Sequence, residues 1–230
     1  MKLSEIKVIA FDADDTLWHN ENYFQEVETA FCQLLEDYLP QHSTERELLK
    51  TEIANVSLYG YGIKSFMLSM IETAIRISDG TIRVNLIDRI IQLGKKMLDK
   101  PVEKMSGADE VLSLLKNKYR LVVATKGDLL DQERKLKKSG LEHYFHHVEI
   151  MSEKGVGDYQ KLIRHLDILP NQFLMIGNSL KSDVLPVLEL GGYGFHIPYH
   201  ITWGHEKVEH AVEHVNFKEL EKITDVLNYL

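Results

Sequence analysis

Short apolar runs and longer stretches of helical period divide the chain between them. Ile6, Val8, Ile9, Ala10 and Phe11 form a nearly continuous apolar segment, the pattern of a strand covered on both faces. From about residue 21 to residue 100 no strand pattern recurs. Val27, Ala30, Phe31, Leu34, Leu35 and Tyr38 fall at helical spacing, and so do Ile63, Phe66, Met67, Met70, Ile71, Ala74 and Ile75. A third series holds Leu86, Ile87, Ile90, Leu93 and Met97. Successive amphipathic helices bury their stripes against one another, so this region is predicted to be a helical bundle inserted after the first strand.

After Pro101 helices and strands alternate. A helix over 107–117 leads to the run LVVAT at 121–125. A helix over 128–139 follows, with Asp128 as N-cap and Gly140 as its stop. The series continues with a strand near 147–151, a helix over 158–169 and the strand FLMIG at 173–177. A helix at 181–190 and a strand at 193–197 close it, and 204–230 is expected to be helical and to cover the sheet. Such alternation predicts a parallel sheet with helices on both faces.

Composition narrows the chemistry. A chain of 230 residues buries a sizeable core. Its formal charge of −8 argues against broad nucleic-acid binding, which needs a basic face. The single cysteine, Cys32, sits among apolar neighbours and reads as a core residue, so no intramolecular disulfide forms and a reducing compartment is expected. No signal-peptide layout opens the chain and no apolar run approaches the roughly 20 residues that span a bilayer, which points to a cytoplasmic protein with no membrane partner.

In an open parallel sheet, ligands bind beyond the carboxyl ends of the strands. The first strand ends in Asp12, Asp14 and Asp15, the second in Thr125, Lys126 and Gly127, and the fourth in Asn178, Ser179 and then Asp183, with Lys154 just past the third. Taken alone, Asp12 and Asp14 could be a turn and a helix cap, and Thr125 an ordinary strand end. Their convergence on one edge is the stronger signal. Clustered carboxylates after a buried strand are costly unless a cation or a reacting group compensates them, so a metal-dependent active site is expected here.

The pieces DADDT (12–16), Thr125 after LVVA, Lys154 and GNSLKSD (177–183) resemble, in this order, the haloacid dehalogenase-like superfamily of hydrolases, in its helical-cap branch. The resemblance implies a Rossmann-like α/β core over 1–18 and 101–230, a parallel sheet flanked by helices, with an inserted α-helical cap over 19–100. It implies a phosphatase acting on a small phosphorylated metabolite. Asp12 serves as nucleophile through an aspartyl-phosphate, Asp14 as general acid and base, and Lys154 balances charge. Thr125 and the backbone amides around Lys126 and Gly127 hold phosphoryl oxygens. Mg²⁺ is assigned to the Asp12 side chain, the Asp14 carbonyl, Asn178 and Asp183. Asn178 stands where many relatives carry aspartate, which removes one negative charge, and Gly-Val-Gly follows Lys154 where a proline is common.

A phosphomutase shares the core chemistry, and a catalytically silent phosphate-binding regulator is the alternative outside enzymes. A dehalogenase fits less well, since family dehalogenases lack the second aspartate. Lys161 competes with Lys154 but lies inside a predicted helix. Lys64, in the glycine-containing segment LYGYGIK (58–64), is a candidate substrate contact, although an inter-helix turn explains the segment nearly as well. His210 and His214 have the i, i+4 spacing of metal pairs, but HEKVE (205–209) is no zinc-protease motif, and exposed helix histidines are the expectation.

Overall fold

The computed structural model describes residues 3–230, and the chain divides into two compact units. The first holds residues up to His19, Val102–Lys126 and Gln132–Leu230; the second holds Asn20–Pro101 and Gly127–Asp131.

The first unit is built on a six-stranded sheet, all of whose neighbouring strands are parallel. In chain order its strands are β1 (Val8–Phe11), β2 (Arg120–Lys126), β3 (His147–Met151), β4 (Phe173–Gly177), β5 (Tyr193–His196) and β6 (Phe217–Glu219), and in space they run β3-β2-β1-β4-β5-β6. β1 and β4 are buried at every position, which is why their sequences are continuously apolar rather than alternating. One face carries Ile9, Phe11, Leu121, Val123, Leu174 and Ile176 against the helix Ala108–Leu115. The other carries Val8, Ala10, Val122, Ala124 and Met175 against the helix Val156–His165. Register pairs Phe11 with Val123 and with Ile176, so β1 and β4 end within one residue of each other while β2 runs three residues further, to Lys126.

The second unit contains the helices α1 (Glu21–Leu34), α2 (Gln41–Tyr59), α3 (Ile63–Ile77) and α4 (Val84–Asp99). Its core joins Val27, Phe31, Leu35, Leu48, Phe66, Met70, Ala74, Ile90 and Met97, and Cys32 is buried among them. Burial and the neighbouring Glu28 and Glu45 push the Cys32 thiol up to about 12, the behaviour of an inert core residue. The remaining helices are α5 (Ala108–Leu115), α6 (Leu129–Ser139), α7 (Val156–His165) and α8 (Leu185–Glu189). Asp128 caps α6, its carboxylate accepting from the Asp131 amide, and Gly140 ends it at φ +71°. No helix among the described residues is long and apolar enough to cross a membrane.

Two expectations are corrected. Residues 181–190 are not one helix, since a π-helical turn at Leu180–Val184 precedes the short α8, with Pro186 near its start. Residues 204–230 are not helical either. They hold 3₁₀ turns at Gly204–Glu206 and Ile223–Asn228 on either side of β6, and only Leu220, Ile223 and Val226 of this stretch enter the core. The segment gains more by adding a strand to the open edge of β5, through Gly194, Phe195 and His196, than by presenting an apolar stripe it does not possess. His210 and His214 are exposed as expected but lie in irregular chain.

Candidate active site

β1 delivers Asp12 to the carboxyl edge of the sheet, where its amide donates to the Ile176 carbonyl of β4. The loop then turns sharply: Asp15 adopts φ +64°, and the amides of Thr16, Leu17 and Trp18 all return to the Ala13 carbonyl. This turn brings the Thr16 hydroxyl back to Asp12 Oδ2 at 3.2 Å, and the same hydroxyl lies 3.4 Å from Asn178 Oδ1.

Lys154 is 3% exposed and donates to Asp12 Oδ1 at 2.7 Å; its second partner is Asp183 Oδ1. One ammonium thus joins the ends of β1 and β4 from the loop after β3. The alternative Lys161 is exposed and pairs with Asp158 in its own helix. Burial pushes the Asp12 carboxyl up to about 7; Lys154 opposes this and Asp183 adds to it. Burial disfavours the Lys154 charge, but Asp12 and Asp183 outweigh it and hold its pKa well above the ordinary lysine value.

Asp183 is placed by a glycine. A Cβ on Gly177 would lie 2.2 Å from Asp183 Oδ2, so only glycine at the end of β4 leaves room for this carboxylate. Asp183 Oδ2 accepts from the Ser179 amide at 2.9 Å, whereas Oδ1 is buried with Lys154 as its ion-pair partner and no well-formed hydrogen bond among the described residues. This under-satisfied oxygen meets the Asp12 carboxylate at Lys154, and the Asn178 side chain reaches the Thr16 hydroxyl that also touches Asp12, so the acceptors gathered here are all oxygens. Oxygen donors of this kind, from Asp12, Asn178 and Asp183, are the chemistry that suits a hard divalent cation. His196 anchors the loop behind them, donating from Nε2 to the Asn178 carbonyl at 3.0 Å, with Nδ1 at 3.0 Å from Glu219.

Asp14 is half-buried and tightly held. The Trp18 indole donates to Oδ1 at 2.6 Å, Gln132 to Oδ2 at 2.7 Å, and Lys135 reaches both oxygens at 2.6 and 2.8 Å. Thr125 is buried at the end of β2. Lys126, expected to act through its backbone, has a side-chain task as well, donating to Glu206 at 2.6 Å and to Ser182 at 2.9 Å. Burial pushes Glu206 upward, but Lys126 and the hydroxyls of Ser179 and Ser182 outweigh it and hold this carboxyl at about 2. Gln132, Lys135, His196 and Glu206 therefore join the site without having been singled out by the sequence pattern.

Two expected residues belong to the second unit. Gly127 takes φ +134°, and Lys64, in the first turn of α3, pairs with Asp128 at 2.9 Å. Gly62 supports that pairing, because a Cβ there would sit 3.1 Å from the Asp128 amide nitrogen. The segment 58–64 is thus a turn packed against Asp128, with half of the Lys64 side chain exposed.

A family model for haloacid dehalogenase-like hydrolases matches residues 6–191. The chain belongs to this family. A haloacid dehalogenase-like hydrolase from Xanthomonas campestris is 37% identical and superposes with a TM-score of 0.86, covering 95% of this chain and 87% of the other. Glyceraldehyde 3-phosphate phosphatase of Methanothermobacter thermautotrophicus is 24% identical over 196 residues, 81% of this chain and 83% of the relative. A protein described as a predicted phosphoglycolate phosphatase from Haemophilus somnus shares the fold, with a TM-score of 0.64 at 20% identity and 97% coverage of both chains. The chain is accordingly a hydrolase built on this family's parallel-sheet fold.

Proposed function

We propose that this hydrolase is a Mg²⁺-dependent phosphatase of small phosphorylated metabolites, working through an aspartyl-phosphate on Asp12. The observation that carries the reading is the buried Asp12–Lys154–Asp183 array beside an Asp14 carboxylate fixed by Trp18, Gln132 and Lys135. A lone nucleophilic carboxylate would serve for displacement of a halide. A second, separately held carboxylate is what an alkoxide leaving group needs, because its oxygen must be protonated as the bond breaks.

In this reading Asp12 attacks phosphorus and Asp14 protonates the departing oxygen, then takes a proton from the water that hydrolyses the acyl-phosphate. Lys154 and the Thr125 hydroxyl neutralise and orient phosphoryl oxygens. Asp12, the Asp14 carbonyl, Asn178 and Asp183 would hold Mg²⁺, which would supply charge neutralisation between two anions. The helical unit acts as the cap, with Lys64 as its substrate contact. The named relatives suggest glyceraldehyde 3-phosphate and phosphoglycolate as first members of a substrate panel. Phosphate release from at least one small monoester with Mg²⁺, abolished by EDTA and restored by Mg²⁺, is the expected result. Isomerised phosphate esters in place of free phosphate would indicate a mutase, and no reaction on any ester would overturn the reading.

Lys135 offers a finer test. It grips both oxygens of Asp14, so Lys135→Ala should disturb proton delivery and little else. Turnover of alkyl phosphates should fall by about tenfold or more, while aryl phosphates, whose leaving groups need no proton, lose much less. Lys135→Arg should recover part of the loss. Equal losses on both ester classes would separate Lys135 from the acid–base step.

A further inference from the structure

On the edge strand β3, His147 and Glu149 lie two residues apart and so share one face. Met151 continues that face and is buried with Tyr159, Leu162 and Ile163 of α7. The pattern predicts apolar residues at 147 and 149 too, yet the chain places an imidazole and a carboxylate there, both half-buried. The last residue of α7, His165, completes the group from the exposed side.

The ligand atoms of His147, Glu149 and His165 all lie within 4.8 Å of one another. His147 Nε2 is 2.7 Å from Glu149 Oε2, and the two imidazoles meet edge to face with centroids 5.1 Å apart. Tetrahedral Zn²⁺ with bonds of about 2.0–2.1 Å separates its ligand atoms by roughly 3.4 Å. No pair of these ligand atoms is farther apart than 4.8 Å, within about 1.5 Å of that separation, and His165 is exposed.

We propose that His147, Glu149 and His165 form a second metal site, separate from the Asp12–Asp183 array, that takes a borderline divalent ion such as Zn²⁺. Two imidazole nitrogens and one carboxylate oxygen select Zn²⁺, Ni²⁺ or Cu²⁺ over Mg²⁺, whereas the active-site set is all oxygen and selects the reverse. Three ligands leave an open position for water or a fourth donor. An ion held here ties β3 to the far end of α7. Those two elements flank the segment that carries Lys154, so the site acts as a clip on the connection that presents the buried ammonium.

Calorimetric Zn²⁺ titration of the full chain, saturated with Mg²⁺ throughout, tests this. A Zn²⁺ equivalent is expected in the wild type and in Asp183→Asn, and is expected to be lost in His147→Ala/His165→Ala. Either single variant should weaken it by at least about tenfold, as the loss of a direct ligand must cost no less than loss of an outer partner. Co²⁺ substituted at the site should give an intense visible absorption that disappears in the double variant. These residues lie at the surface, so the variants keep the fold, which far-UV circular dichroism verifies. Unchanged Zn²⁺ stoichiometry, affinity and Co²⁺ spectrum in the double variant would reduce the cluster to a His–Glu ion pair and overturn the proposal. So would loss of the Zn²⁺ equivalent in Asp183→Asn alone.

Discussion

Asp12→Asn is expected to release no phosphate from any ester and to form no covalent phosphoenzyme, while folding at least as stably as the wild type. An amide is no nucleophile, so the acyl-phosphate has no place to form. Its stability follows from the same geometry. Burial pushes the Asp12 carboxyl to about 7, which means that its charge is held at a cost in the metal-free protein. An isosteric neutral amide removes that cost and leaves Lys154 paired with Asp183. Asp14→Asn should behave differently: turnover falls by about 10²-fold or more, but Mg²⁺ affinity persists because the proposed ligand there is a backbone carbonyl. Phosphate release, mass detection of the trapped phosphoenzyme and thermal denaturation separate the two variants. Normal turnover by pure Asp12→Asn would dispose of the nucleophile assignment.

Much of this arrangement is legible in the sequence because it rests on local pattern. β1, β2 and β4 announce themselves as short apolar runs, since strands covered on both faces have no polar alternation to confuse with a helix. The polar residues that follow them share an edge because the strands are parallel and in register. That is why Asp12 groups with Lys154 and Asp183, although Lys154 follows it by 142 residues and Asp183 lies farther still along the chain.

What escaped has physical causes of its own. α2 shows no clear apolar stripe because its buried face includes Thr44 and Asn55 with Leu48, polar groups satisfied by the Leu39 and Pro40 carbonyls, Ser69 and Glu72. Gln132 and Lys135 reach Asp14 across 118 and 121 residues, from a helix whose sequence, LLDQERKLKKS, reads as a solvated charged face. Glu206 sits in HEKVE, a segment with no periodicity, and only the fold shows that Lys126, Ser179 and Ser182 converge on it. In the C-terminal stretch charged and apolar residues mix at no fixed period, which gives no support to the helix expected there, and its strand is only three residues long. Long-range polar contacts leave no local trace in a sequence, so functional partners of this kind become visible only once the sheet has gathered them.

Lys154→Met is expected to be the most destabilising change in the site and to abolish turnover. Removing one partner of a buried ionic cluster costs about 3–5 kcal/mol, because the charges left behind keep their desolvation without compensation. Here the remainder is Asp12 facing Asp183, two carboxylates that Lys154 bridges. The pH dependence has a definite sign. The folded-state value of about 7 for Asp12 lies above the ordinary 3.8, so its contribution to metal-free stability is complete below about pH 4 and is lost as the pH rises through 7. Without Lys154, the attraction that lowers this value is gone, and the loss on going from about pH 5 to about pH 8 should be larger than in the wild type. Mg²⁺ should restore more stability to the variant than to the wild type, since a cation replaces the missing charge. Lys154→Met/Asp183→Asn should regain stability without regaining activity, which distinguishes electrostatic relief from catalysis. Denaturant melts in EDTA at both pH values, repeated with Mg²⁺, decide the matter: a Lys154→Met protein as stable as wild type under all four conditions would mean that the ammonium does not hold this cluster together.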